Sequence, residues 1–113
     1  MVEELWDDIV RLALAIWDVI KKMFLKIVNF FNNIVSFFKD PSILHKLEED
    51  KNNIAVVIKD NLENGNYRVI NCLYNKESET LVDYETSALG IEAYELDDET
   101  ADRFGDKAMI VLH

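Results

Sequence analysis

From Val2 to Asp40 the chain contains neither glycine nor proline, and five of its six phenylalanines fall between positions 24 and 38. No other feature constrains the fold so strongly, because so much aromatic surface has to be hidden from water. Placed on a helix at about 100° per residue, the acids, lysines and asparagines of this segment gather in an arc about 140° wide. The apolar residues take the opposite arc, and only Leu14, Ala15 and Leu25 break the partition. The pattern predicts one amphipathic helix over residues 1–40. Charge order agrees with it: acids crowd the first turns and lysines dominate from Lys21 onward, which complements the helix dipole. Pro41 disfavours helical geometry at Asp40, so Asp40-Pro41 reads as the N-cap and first position of a new helix.

Such a helix would be about 57 Å long. The 73 residues that follow would form a body with a radius of gyration of about 11 Å. A body that small leaves an apolar face on the order of 1,000 Å² uncovered, more than a monomer usually exposes. The expected association interface is therefore Trp6, Ile9, Ile16, Trp17, Ile20, Phe24, Ile27, Phe31, Ile34 and Phe38 on one helical face. Domain organisation follows: 1–40 an association helix, 41–113 a small acidic domain.

The second part carries its own signals. "PSILHKLEEDKNN" reads as a short helix and "IAVVIKD" as a buried strand. Asn64-Gly65 marks a hairpin leading to a second strand over 67–74. A third strand is expected over 80–84, followed by a loop through Gly90. "LDDETADRFGD" reads as a helix capped by Asp97 and ended by Gly105, and "KAMIVL" closes the chain as a strand. The fold expected is α+β: a long N-terminal amphipathic helix, then a small, mainly antiparallel four-stranded sheet with two short helices.

Composition narrows the function classes. Half the residues are hydrophobic, which supports a packed core. Residues 1–40 hold six acids and five bases, whereas 41–113 hold sixteen acids and seven bases. An acidic body disfavours direct nucleic-acid binding, which requires Lys and Arg against phosphate. Cys72 is the only cysteine, so neither an internal disulfide nor a cysteine-based zinc site is available. His45 and His113 lack an evident acid or nucleophile partner, and the three glycines form no phosphate-binding loop. "DDETAD" lacks the glycine and closing glutamate of a calcium loop. No catalytic residue, cofactor or metal is expected.

Non-enzymatic self-assembly, or capture of a protein partner through the helix face, is the function read from these features. The alternative is a membrane surface met by 21–39, with Lys21, Lys22, Lys26 and Lys39 toward anionic lipid and phenylalanines opposite. Charges within the apolar window argue against a transmembrane span. A further alternative is an acidic decoy for a basic or nucleic-acid-binding partner, docking through Asp97, Asp98, Glu99 and Asp102. The acidic start "MVEELWDD" is unlike a secretory signal, and a cytoplasmic location is expected, with membrane association under the second reading.

Overall fold

A computed structural model describes residues 3–112. The chain is α+β, but it does not contain the long helix. The first helix, α1, spans Glu3–Ala15 and stops there. Strand β1 follows at Lys21–Val28, then a π-helix at Phe30–Val35 that runs into the single turn α2 at Ser36–Phe38. After α3 (Pro41–Glu49) come β2 (Asn53–Asn61), β3 (Tyr67–Asn75) and the two-residue β4 (Thr80–Leu81). The turn α4 (Tyr84–Ser87), β5 (Leu89–Leu96), α5 (Asp98–Phe104) and β6 (Met109–Leu112) complete the order. The longest dimension, 37 Å, is shorter than the single helix predicted from the wheel.

The expected four-stranded, mainly antiparallel sheet is corrected to a six-stranded mixed one. Its order is β1-β5-β3-β2-β6, with β4 paired to the end of β3. β1 runs parallel to β5, with Lys21 opposite Leu89 and Leu25 opposite Ala93. The other pairings are antiparallel. Two strands escape the sequence pattern, β1 and β5. Lysines at 22 and 26 share a helical face, but they also fit a strand that alternates Lys22, Phe24, Lys26 against Met23, Leu25, Ile27. Periodicity over eight residues cannot choose between these, and an open edge on β5 decides for the strand.

Helical layers cover both faces of the sheet. On one face Ile9 and Ala13 of α1, with Trp17 and Ile20 of the turn that follows it, pack with Val56, Ile58, Ile70, Cys72 and Tyr74. That spacing is the helix stripe the wheel predicts, and it ends where β1 begins. On the other face Phe30, Ile34 and Phe38, four residues apart, bury themselves with Ile43 and Phe104 over Ala55, Val57, Leu73 and Ile91. Four-residue spacing keeps side chains on one side of a helix, and the row continues from the π-helix into α2.

The break after Ala15 has local causes. Just past α1 the amides bond three residues back, Ile16 to Ala13 and Trp17 to Leu14, each at 3.3 Å. This tightened turn ends the helix, and the α1–β1 turn beyond it is held by the Lys22 ammonium, which donates to the carbonyl oxygens of Trp17 (3.0 Å) and Ile20 (3.3 Å). Gly90 on β5 receives the Trp17 indole: a Cβ at that position would stand 2.7 Å from Cζ3 of the ring. The Arg68 guanidinium stacks on the same indole at 4.7 Å. Trp17 thus pins the α1–β1 turn across the sheet and sets β1 beside β5.

Candidate association edge

Among the described residues β1 is an edge strand of the sheet, hydrogen-bonded on one side only. Of its eight residues only Leu25 is half-buried and only Val28 fully buried. Phe24 is 53% exposed and Ile27 45%, and Met23, on the same face as Ile27, is exposed as well. Phe24 packs edge-to-face on Tyr94 of β5, with ring centroids 5.0 Å apart, and that tyrosine is exposed as well. A strand of this length with unpaired backbone groups and apolar side chains is a ready template for another strand.

The lysines of β1 guard this edge only in part. Lys22 is folded back onto the α1–β1 turn by the two carbonyl bonds and lies 5.9 Å from the Trp17 ring centre. Lys21 and Lys26 remain exposed at either end of the apolar trio 23–25. The end of β1 is fixed by Asp97. Its backbone N–H donates to the Val28 carbonyl (2.9 Å), and its carboxylate accepts from the Phe30 N–H (3.1 Å). The same carboxylate caps α5, accepting from the Thr100 N–H at 2.9 Å and from the Thr100 hydroxyl. Burial pushes the Asp97 pKa up, but these hydrogen bonds outweigh it and hold the carboxyl below its usual range. The π-helix is braced in turn by two asparagines: Asn29 accepts from Asn32 N–H (2.9 Å), and Asn33 accepts from Asn29 N–H (2.7 Å).

The predicted interface residues are therefore divided rather than gathered. Ile9, Trp17, Ile20, Ile34 and Phe38 are core residues, and Trp6 and Ile16 pack at the margin of the α1-side core. Phe24 and Ile27 are exposed on the edge strand, while Phe31 is exposed on the π-helix, on another part of the surface. Of the four lysines, Lys21, Lys22 and Lys26 lie on a strand rather than an amphipathic helix, and Lys39 caps the end of α2. Of the acids, Asp97 is engaged as a cap, Glu99 accepts from Arg103 Nε (2.9 Å), and Asp98 and Asp102 are exposed.

Sequence reasoning missed Tyr94 and Gly90. The signal for both was the alternation of Leu89, Ile91 and Ala93 with Gly90, Glu92 and Tyr94, obscured by reading Gly90 as loop. His45 lies on α3, 3.4 Å from Glu49, and His113 falls outside the described residues. Cys72 is fully buried and its thiol is pushed up to about 12 by burial. Among the described residues no group of three or more His, Cys, Asp or Glu is arranged to hold a metal ion. No helix among them is long and apolar enough to cross a membrane. Comparison with protein-family models, with curated proteins and with solved structures found no match in any of the three.

Proposed function

We propose that this chain is an association module that forms a two-fold dimer by antiparallel pairing of β1 with β1 of a second copy. The observation that carries this reading is the uncovered, apolar outer edge of an eight-residue strand. A two-fold axis perpendicular to a continuous sheet requires one residue to face itself, so the register is limited. Centring on Phe24 sets Lys22 opposite Lys26, and centring on Lys26 sets that lysine against itself; both are penalised by like charge. Centring on Leu25 avoids every such pair. Met23 then meets Ile27 of the second copy, Leu25 meets Leu25, and Lys26 meets Phe24, a cation–π arrangement.

The stripe formed by Met23, Leu25 and Ile27 from both copies would extend the core to which Leu25 already belongs. A contact along one strand, about 27 Å in length, is at the small end of specific interfaces, which bury about 1,200 Å² or more in total. Micromolar dissociation is accordingly expected. The reading moves the association surface from a helix face to a sheet edge and keeps the protein non-enzymatic.

Light scattering across a dilution series tests it. The native chain should weigh about twice 13.2 kDa at high concentration and fall to 13.2 kDa on dilution. Met23→Lys with Ile27→Lys, which opposes lysines in two pairs, should be monomeric throughout. Met23→Lys with Ile27→Glu, which opposes opposite charges, should recover the dimer. A native monomer at all concentrations, or equal masses for the two double variants, would refute the proposal.

A further inference from the structure

A second exposed apolar feature lies away from β1, on the face carrying the π-helix. It is a groove of about 790 Å³ between the π-helix and α2 on one side and α3 on the other, floored by β2 and β6. Phe31 and Val35 form one wall, Leu44 and Leu47 the other, and Ile110 and Leu112 contribute to the floor. Phe31 is 56% exposed and Leu44 38%, so the groove is open and its walls are wettable. Its size is that of a small-molecule site, about 300–1,000 Å³.

The charge at its rim is opposite to that of the molecule. The chain has 22 acids against 12 bases, yet among the described residues no acid lines the groove, and its two charged lining residues are Lys39 and Arg103. Lys39 forms no ion pair among the described residues. Arg103 is held over the Phe30 ring at 4.7 Å and is ion-paired with Glu99 through its Nε–H (2.9 Å), which leaves its other N–H donors without a hydrogen-bond partner among the described residues. The other polar lining group, Asn53, is already engaged: its amide donates to the Lys46 carbonyl (2.8 Å) and its oxygen accepts from Asn75 (2.8 Å). Recognition of a polar head therefore falls to the two cations, and recognition of the remainder to hydrocarbon.

We infer that this groove binds a free long-chain carboxylate, its alkyl chain lying along the π-helix–α3 channel and its head at Lys39 and Arg103. A carboxylate meets a guanidinium and an ammonium with charge-assisted hydrogen bonds, and a single flexible chain fits an open channel walled by Leu, Val, Phe and Ile side chains. The site is independent of the β1 edge, since neither Met23 nor Ile27 lines it.

Methyl-resolved NMR on the intact chain, titrated with monomeric decanoate, decanol and decyltrimethylammonium, tests this. Decanoate should give saturable shifts at Val35, Leu44, Leu47 and Leu112, with affinity rising about two- to fourfold per added methylene. It should bind at least about tenfold tighter than the cationic amphiphile. Lys39→Gln with Arg103→Gln, both exposed positions, should bring that preference close to unity while leaving decanol binding unchanged. The monomeric Met23→Lys, Ile27→Lys variant should bind decanoate like the native chain. Absence of saturable shifts, equal affinity for the cationic amphiphile, or a preference that survives the double glutamine change would overturn the inference. So would shifts produced by phosphatidylglycerol vesicles but not by decanoate, which would identify a membrane surface as the occupant.

Discussion

Gly90→Ala should destabilise the protein even though it removes a glycine from a strand. Gly90 is buried in β5, and a Cβ there would lie 2.7 Å from Cζ3 and 3.1 Å from Cε3 of Trp17, and 3.2 Å from Cδ1 of Ile20. The nearest of these is a rigid ring atom, and the ring is confined by the Arg68 guanidinium 4.7 Å from its centre. Relief requires the α1–β1 turn to lift, and overpacking of this kind costs about 1–3 kcal/mol. Loss of glycine's backbone freedom returns about 0.5–1 kcal/mol. The net expectation is a destabilisation of about 1–2 kcal/mol in urea unfolding followed by circular dichroism. Trp17→Ala alone should cost about 3–5 kcal/mol. With the indole gone, Gly90→Ala should turn stabilising by up to about 0.5 kcal/mol, because the close neighbour that remains, Ile20 Cδ1 at 3.2 Å, can shift into the vacated space and leave the backbone effect dominant. The double-mutant cycle isolates the contact. A Gly90→Ala effect of the same sign and size in both backgrounds would refute the claim that Trp17 seats on Gly90 and sets β1 beside β5.

Three further outcomes follow from the same contacts. Asp97→Asn should lower stability by about 1–2 kcal/mol at neutral pH through loss of charge-assisted bonds to Phe30 and Thr100. Because the folded carboxyl titrates below its unfolded value of about 3.9, its contribution is fully present above that value. It is lost as the pH falls through the folded pKa, so native and variant unfolding curves should converge below about pH 4. Adjacent phenylalanines should behave oppositely: Phe30→Ala, in the core, should cost about 3–5 kcal/mol, and the exposed Phe31→Ala within about 0.5 kcal/mol, both read by thermal or urea unfolding. Native Cys72, buried and with its thiol pushed up to about 12, should react with a thiol reagent at pH 8 only as fast as the chain unfolds globally. Rapid labelling under native conditions would contradict its position between α1 and the sheet.

How much of this was readable in advance depended on whether the deciding interaction was local. Asp40 caps α3, accepting from the Ser42 N–H, with Pro41 at the first position. Asp97 caps α5, and Gly105 ends it with φ +57. Asn64-Gly65 lies in the 62–66 turn joining β2 to β3, with Gly65 at φ +89. Each is set by neighbours a few residues away, which is why the sequence reveals it. The 9, 13, 17, 20 spacing is equally local: Ile9 and Ala13 lie on the buried face of α1, and Trp17 and Ile20 are buried in the turn beyond it. β1 is different, because its state is chosen by Leu89–Leu96, 68 positions along the chain. Lysines four apart made it look helical, and nothing nearby records that β5 lacks a neighbour. The residues expected at the association surface are distributed by the same long-range pairing. The wheel makes the aromatic face one stripe, but the break after Ala15 sends half of it inward and leaves Phe24, Ile27 and Phe31 outside.

Self-pairing of β1 is tested most directly by intermolecular nuclear Overhauser effects in a dimer mixed from ¹³C-labelled and unlabelled copies. With Leu25 on the two-fold axis, the Met23 methyl of one copy should contact the Ile27 methyls of the other, and the Leu25 methyls should meet across the axis. A sample whose mass is doubled but whose intermolecular contacts arise only outside residues 21–28 would contradict the account.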